Sequence, residues 1–149
     1  MNNDTRLAVA THILALLSFV GADYKSSDLL ARSVNTNPVV VRRLISQLKK
    51  AGLVEVRRNM GGSTLSRRPE DITLLDVYKA VIPKPTACPF HLHQEPNCQC
   101  YIGRNIHDAL ADPFAKVNHA VQESLATTTV ADIAAFIRER VSKKEEKRT

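Results

Sequence analysis

Three cysteines and several histidines are the first residues of this sequence whose types suggest chemistry. Cys88, Cys98 and Cys100 all fall within the segment 83–101, which also contains four prolines and is therefore expected to be an ordered loop. Cysteine thiolates and histidine nitrogens are ligands of iron–sulfur clusters and zinc, and a thiolate is also the reactive form in redox chemistry. The segment is interpreted as a sensor-type loop.

The spacing of the cysteines leaves several chemistries open. Nine residues separate Cys88 from Cys98 and one separates Cys98 from Cys100, whereas iron–sulfur ligands are usually spaced more widely than this last pair. A cluster would need a fourth ligand, for which three nearby histidines are candidates: His91, His93 and His107. Structural zinc favours paired C-x-x-C spacing, which is missing here. We therefore expect no cofactor, with an iron–sulfur cluster as the less favoured alternative.

A thiol switch and chemically inert thiols are two further interpretations of the same cysteines. Cys100 precedes Arg104 and lies near the start of a predicted helix, where the helix dipole and a cation would lower the thiol pKa. Cys98 and Cys100 are too close to form an unstrained disulfide with each other. A disulfide would therefore involve Cys88 or join two subunits.

Basic residues form the second group with chemical potential. Between Arg42 and Arg68 the sequence contains eight Lys or Arg residues and one acid, Glu55, so this stretch carries +7. The whole chain carries +6, so everything outside the stretch sums to −1. Such a basic island is what a contact surface for a phosphate backbone requires, although a solvated basic face without a partner would look the same.

The residues around the island predict a helix-turn-helix. A first helix is expected over 5–19, and a second is expected to start at Ser26 or Ser27. Asn37 is a favourable N-cap for a third helix, Pro38 suits its first position, and Gly52 suits its end. The second and third helices are predicted to bury their apolar residues: Leu29, Leu30, Val34, Val41, Leu44, Ile45 and Leu48.

A basic β-hairpin is predicted directly after the third helix. Residues 53–57 and 63–67 alternate like half-buried strands, and 59–62 read as the tip. A hairpin in this position is a wing. Thr73 and Asp76 then form a capping-box pattern at the start of a helix that runs through Val81. The predicted fold is mainly α with a small β-hairpin wing, a winged helix-turn-helix.

This arrangement assigns roles to the polar and basic residues of the island. Residues at or near the start of the third helix are expected to reach base edges: Thr36, Val39, Val40 and Arg43. The rest of that helix face is expected to touch phosphates or the groove wall: Arg42, Ser46, Gln47, Lys49 and Lys50. The wing is expected to flank the backbone or minor groove: Arg57, Arg58, Arg67 and Arg68.

The C-terminal half predicts dimerisation. Apolar residues recur at three- or four-residue steps: Ile102, Ile106, Ala109, Leu110, Phe114, Val117, Val121 and Leu125. A small winged domain cannot cover a stripe of this length, so we favour a dimer over the alternative, packing on the first helix of the same chain. Two recognition helices about 34 Å apart would also suit a two-part operator. Pro113 must kink the helix or begin a new one. Thr129 is expected to cap a last helix whose inward residues are Val130, Ile133, Ala134, Ile137 and Val141.

These elements divide the chain into four parts. Residues 1–82 are the predicted DNA-binding domain, 83–101 the sensor-type loop, 102–141 the dimerisation helices and 142–149 a charged, frayed tail.

The sequence resembles the Rrf-two family of bacterial winged helix-turn-helix transcription regulators, from about Asp4 to the helix after Gly103. The motifs that carry the resemblance are Asn37-Pro38 with Val41-Arg42-Arg43, Lys50-Ala51-Gly52-Leu53-Val54, Gly61-Gly62, and Ile72-Thr73-Leu74-x-Asp76-Val77-Tyr78. The resemblance implies a homodimer that binds palindromic operators, and a response to redox, nitric oxide or iron–sulfur status.

The loop itself resembles the cluster-free branch of that family. Iron–sulfur members carry three nearly evenly spaced cysteines, whereas the cluster-free branch usually has one cysteine just ahead of an Ile-Gly, which is Cys100 here. By this resemblance some members sense oxidants by forming a disulfide between subunits. The branch's partner cysteine in the second helix is missing from this chain.

Other classes of function are disfavoured. The longest apolar run near the N-terminus, 13–20, is too short to cross a membrane, and no signal-peptide pattern precedes it, so we expect a cytoplasmic protein with no membrane partner. Phosphate-loop, dinucleotide and nucleophile-elbow motifs are missing, so we expect no enzyme. We interpret the chain as a duplex-DNA-binding regulator, a repressor with a redox input. The alternative is an iron–sulfur or metal-carrying sensor whose basic patch meets an acidic protein.

Overall fold

The computed structural model describes residues 3–19, 25–57, 61–82 and 90–146. Within these ranges the helices are α1 (Asn3–Phe19), α2 (Ser27–Val34), α3 (Pro38–Lys50), α4 (Leu74–Val81), α5 (Tyr101–Thr127) and α6 (Val130–Glu146). A 3-10 turn covers Pro69–Asp71, and the strands are β1 (Val54–Arg57) and β2 (Gly62–Leu65). The predicted fold class, mainly helical with a two-stranded antiparallel hairpin, is confirmed.

The hydrophobic core lies where α1, α3 and α4 meet. Its fully buried side chains come mainly from these three helices: Ile13, Leu14, Leu17, Val41, Leu44, Leu48, Val77 and Val81. Leu30 of α2 is also buried, but Leu29 is 47% exposed, so its predicted inward position is wrong. The α2 helix turns only one face to the core, and the neighbouring position therefore faces outward.

Side-chain caps hold the starts of both α2 and α3. Ser26 accepts a hydrogen bond from the backbone N–H of Leu29 at 3.2 Å, and Asn37 accepts one from Val39 at 2.8 Å. Asn35 closes α2 in the left-handed conformation with φ of 57°. The two side-chain caps satisfy N–H groups that the first turn of each helix leaves unpaired, and the left-handed Asn35 ends α2 shortly before α3 begins.

The wing is tied to the helices at both of its strands. β1 follows α3 through Gly52, whose φ of 70° suits glycine, and pairs with β2 in the register Val54 to Leu65. β2 is also joined to the chain before α2, because Lys25 and Ser63 exchange two backbone hydrogen bonds of 3.0 and 2.8 Å. Each strand is one residue shorter than predicted, and β2 begins one residue earlier and ends two residues earlier than expected. Residues 59 and 60 of the predicted tip lie outside the described residues.

Two capping boxes hold the starts of α4 and α6. Asp76 accepts from the backbone N–H of Thr73 at 3.0 Å, as predicted, and Asp132 accepts from that of Thr129 at 2.7 Å. These two segments also pair with each other: Leu74 donates to the carbonyl of Thr128 and Val130 to that of Ile72, both at 2.9 Å. The start of the last helix is therefore attached to the start of α4 by backbone bonds.

The last two helices depart from their predicted boundaries. α5 continues through Pro113 as one helix, and α6 extends to Glu146 rather than fraying after Val141. α6 packs on α1 and buries Val130 and Ala134. Ile137 and Val141 are 39% and 48% exposed, so their predicted inward positions are wrong in the single chain. No helix within the described ranges is long and apolar enough to cross a bilayer.

Candidate nucleic-acid interface

The face of α3 opposite the core presents a line of exposed side chains. Val39, Arg43, Ser46 and Lys50 follow one another at spacings of three or four residues, so they share one side of the helix. Val39 is 64% exposed, although its apolar side chain lies in the first turn of the helix. An exposed valine beside an arginine is the composition expected where a helix meets base edges.

The two valines at the start of α3 occupy different environments. Val40 is partly buried and packs against the core, so its side chain does not join the outer face. Gln47 lies one and a half to two turns further along the same flank and is also partly buried. Thr36, in the turn before α3, is partly buried as well, and its backbone N–H donates to the carbonyl of Ala31 at 3.1 Å. The sequence alone could not distinguish the two adjacent valines.

A groove of about 390 Å³ separates the flank of α3 from the wing. The residues that line it come from α2, α3 and both strands or their connection: Ser27, Arg42, Ile45, Ser46, Lys49, Val56, Arg57, Gly61, Gly62 and Ser63. Arg42, Lys49 and Arg57 bring three positive charges to this groove, while Ser46 belongs both to the groove and to the outer face of α3. The two surfaces are therefore continuous.

Three of the arginines have carboxylate partners. Arg42 donates to Asp28 at 3.4 Å, and Arg57 to Glu55 at 3.3 Å. Arg68 donates through Nε and Nη2 to the two carboxylate oxygens of Asp71 in the 3-10 turn, at 3.0 and 3.4 Å. Exposed ion pairs of this kind contribute about 0–1 kcal/mol to folding.

The pairing at Arg68 alters both ionisations. The hydrogen bond from the Arg68 guanidinium holds the pKa of the Asp71 carboxyl below its ordinary value, and the same bond raises the pKa of Arg68. Both groups are therefore charged at neutral pH, and the guanidinium of Arg68 already has a carboxylate partner.

The remaining predicted cations have no carboxylate partner among the described residues. Arg43, Lys49, Lys50 and Arg67 are exposed, and Arg67 lies against the turn that contains Gly52. Arg58 lies outside the described residues. The predictions missed Ser27, Ser63 and Asp28, because these residues reach the surface only through pairing of segments distant in sequence.

The loop before α5 lies along that helix. Asn118, which is buried, accepts from the backbone N–H of Phe90 at 3.4 Å and donates to its carbonyl at 3.2 Å. His107 donates from Nε2 to the carbonyl of His93 at 2.8 Å, and the two imidazole rings meet edge to face at 5.3 Å. The described part of the loop is therefore ordered by α5, in agreement with the predicted ordered loop.

Cys100 is the N-cap residue of α5 and is exposed. The backbone N–H groups of Gly103 and Ile102 point to its sulfur and lower the thiol pKa. The prediction that a cation contributes to this shift is wrong, because Arg104 stacks instead over the ring of Tyr101 at 5.4 Å. The start of the helix alone accounts for the shift.

The described donors do not fit a metal site or an iron–sulfur cluster. Cys98 is exposed and its thiol donates to the carbonyl of Pro96 at 3.5 Å. Among the described residues no three Cys, His, Asp or Glu side chains are grouped closely enough to share a metal ion. Cys88 lies outside the described residues.

Comparison with known proteins identifies relatives along nearly the whole chain. A family model described as Rrf2, iron-dependent transcriptional regulator, matches residues 3–135. YwnA of Bacillus subtilis (strain 168), which is named as an HTH-type transcriptional regulator, is 44% identical over 130 residues, covering 87% of this chain and 95% of YwnA.

Solved structures agree with this match. A crystal structure named as that of a DNA-binding protein is 42% identical, with a TM-score of 0.70, and covers 86% of this chain and 97% of its own. A structure named as a transcriptional regulator from Lactobacillus plantarum is 26% identical, with a TM-score of 0.75 and 97% coverage of both chains. These relatives are regulators rather than enzymes, and the chain belongs to the Rrf2 family of transcriptional regulators.

Proposed function

We propose that the protein is a cytoplasmic, dimeric repressor that binds a specific duplex operator through α3 and the wing. The observation that carries this proposal is the continuity between the exposed face of α3 and the cationic groove beside it, through Ser46. A base-reading face next to a phosphate-neutralising groove is the arrangement that sequence-specific duplex binding requires. The names of the relatives, one as a DNA-binding protein, support it.

Base reading is assigned to the outer face of α3. Val39 is placed to pack on a thymine methyl group, and Arg43 to donate two hydrogen bonds to a guanine. Thr36 remains a candidate at the edge of this face, whereas Val40 is not retained because it packs on the core.

Phosphate contact is assigned to the cations on either side of that face. Arg42, Lys49 and Arg57 line the groove. Lys50 extends the outer face, and the wing arginines continue the basic surface: Arg58, Arg67 and Arg68. Each phosphate neutralised releases condensed counter-ions, so binding is expected to weaken steeply as salt rises.

Dimerisation is assigned to the apolar stripe of α5. In the single chain Ile102 is 65% exposed and Val117 is 44% exposed. The rest of the stripe is only partly covered by α4 and the preceding loop: Ile106, Leu110, Phe114, Val121 and Leu125 are half-buried, while Ala109 is exposed. Exposed apolar stripes of this length are typical of association surfaces. Two α3 helices in a symmetric dimer would then meet two half-sites of one operator.

A redox input is assigned to Cys100. Its lowered pKa and its exposure make it the thiol that peroxide is expected to attack. Peroxide would oxidise the Cys100 thiolate of one chain to a sulfenic acid and release one water, and the Cys100 thiol of a second chain would then displace the sulfenic hydroxyl as a second water to form the disulfide. A covalent dimer on a non-reducing gel, absent in Cys100→Ser, is the expected result. A monomer after peroxide treatment would remove this part of the proposal.

The test of DNA binding uses selection from a random duplex library, followed by competition between the selected and a scrambled duplex. Binding is expected to lose several decades of affinity from about 50 to 200 mM salt, with preference for the selected sequence surviving competitor DNA. A protein that enriches no sequence and binds acidic proteins instead would favour the sensor alternative. A brown colour after anaerobic purification would show that the loop carries a cluster.

A further inference from the structure

The Asp28–Arg42 ion pair differs from the other ion pairs of the basic surface in what it connects. The pairs at Arg57 and Arg68 join residues two and three positions apart, so chain proximity explains them. Asp28 instead lies in the first turn of α2, and Arg42 is 14 residues later on α3. This pair therefore places an acid of one helix against a cation of the other.

Arg42 holds a particular position on the surface. It lines the groove from the side of α3, together with Lys49, opposite Arg57 of the wing. Both members of its ion pair remain largely in solvent, with side-chain exposures of 59% for Arg42 and 66% for Asp28. A phosphate that enters the groove therefore meets a guanidinium that already has a carboxylate at 3.4 Å.

We propose that Asp28 is an internal competitor that lowers the affinity of this surface for nucleic-acid phosphate. It supplies Arg42 with a counter-ion in the free protein, and a phosphate must displace this counter-ion or share the guanidinium with it. The inference rests on the proposed DNA-binding function and adds a residue that opposes it. Because phosphates are the same in every sequence, the competition reduces operator and random duplex binding by similar factors.

The expected size of the effect follows from the exposure of the pair. Exposed ion pairs contribute little, so neutralising Asp28 is expected to raise duplex affinity about two- to fivefold. The ratio of operator to random affinity is expected to stay unchanged, since the base contacts of Arg43 and Val39 are not touched. Asparagine suits the first turn of a helix, so Asp28→Asn is expected to fold normally.

The experiment is a double-mutant cycle between Asp28→Asn and Arg42→Gln, with duplex affinity measured by fluorescence anisotropy. The affinity gain from Asp28→Asn is expected to vanish in the Arg42→Gln background, because the competition acts through that guanidinium. Glu139→Gln is the matched control: it removes the same charge, but from the exposed pair with Lys143 on α6, away from the basic surface, and is expected to leave affinity nearly unchanged.

Several results would overturn the proposal. These are an unchanged or reduced affinity in Asp28→Asn, an equal gain in Glu139→Gln, or a gain that persists with Arg42→Gln. A DNA-free readout separates this failure from failure of the proposed function, namely the salt concentration at which each variant elutes from heparin. If the protein bound no duplex, a later elution of Asp28→Asn that required Arg42 would still support competition, and its absence would refute it.

Discussion

The α3 helix and the α5 helix differ in how completely their apolar residues are packed within one chain. α3 is capped at its start by Asn37, buries its whole apolar face and receives the wing on its flank. α5, in contrast, leaves Ile102 and Val117 exposed and has only one buried residue, Asn118, which holds the preceding loop. The comparison indicates that the outer face of α3 is fully built within one chain, whereas α5 keeps exposed apolar side chains that a second subunit would cover in the proposed dimer.

The largest effect is expected where the difference between the two regions is greatest. Val117→Asp places a charge in the apolar stripe of α5 and is expected to yield monomers with roughly 100-fold weaker operator binding, because the two half-sites are no longer bound together. Sedimentation equilibrium and anisotropy measure the two changes. Ala115→Asp, on an exposed position outside the stripe, is the control, and a dimeric Val117→Asp would contradict the assignment.

On the outer face of α3, Arg43→Ala and Lys50→Ala are expected to have different effects on duplex binding. Arg43→Ala should weaken operator binding by about 1–3 kcal/mol and relax base preference, because it removes a guanine contact. Lys50→Ala should weaken all duplexes alike and reduce the salt slope by about 1. Affinity measured on selected and scrambled duplexes over a salt series distinguishes them, and equal losses across sequences for both variants would refute the roles.

Within the C-terminal half, Gly103→Ala tests how firmly the loop rests on α5. A Cβ at this position would lie 2.2 Å from the carbonyl oxygen of Asn97, so the loop must shift. We expect a loss of about 1–3 kcal/mol in the free energy of unfolding, as for other overpacked sites. Urea unfolding measures it, with Ala109→Gly as a control for helix propensity. Unchanged stability would mean that the loop yields freely.

The smallest expected effect concerns the junction between the two regions. The hydrogen bonds from Thr129 hold the pKa of the Asp132 carboxyl below its ordinary value. A lowered pKa in the folded state means that the ionised carboxyl stabilises the fold above the ordinary Asp pKa, about 4, and this contribution is lost as pH falls through the folded value.

The prediction at this junction is therefore specific to acid conditions. Asp132→Asn is expected to flatten the dependence of thermal unfolding on pH below about 4, and to lower the unfolding temperature only slightly at neutral pH, because it removes the carboxylate of the capping box. Thermal unfolding of the wild type and the variant, followed by circular dichroism from about pH 2.5 to 7, measures both changes. An identical acid transition in both proteins would contradict the capping role.

Local sequence signals predicted the elements that depend on neighbours in the chain. Asn37 and Pro38 predict the start of α3, and the capping-box pair Thr73 and Asp76 predicts the start of α4. The buried positions of α3 follow its helical period. Each of these signals lies within one turn of the structure it specifies, which explains why no tertiary information was needed.

Contacts between distant segments were not predictable in this way. Lys25 pairs with Ser63, and Asp28 with Arg42, only because the helices bring them together. Periodicity also marks an apolar face without saying whether anything covers it, and so Ile137 was expected inside but lies 39% exposed. The α5 helix also continues through Pro113, where the sequence predicts a kink or the start of a new helix.

The backbone pairing between Ile72–Leu74 and Thr128–Val130 has a mechanical consequence. It clamps the first residues of α4 and α6 side by side, each already rigidified by its own threonine and aspartate. A displacement imposed on the far end of the molecule by a second subunit would therefore not be absorbed at a loose hinge. The displacement would instead be transmitted to α3 through α4, which packs directly on α3.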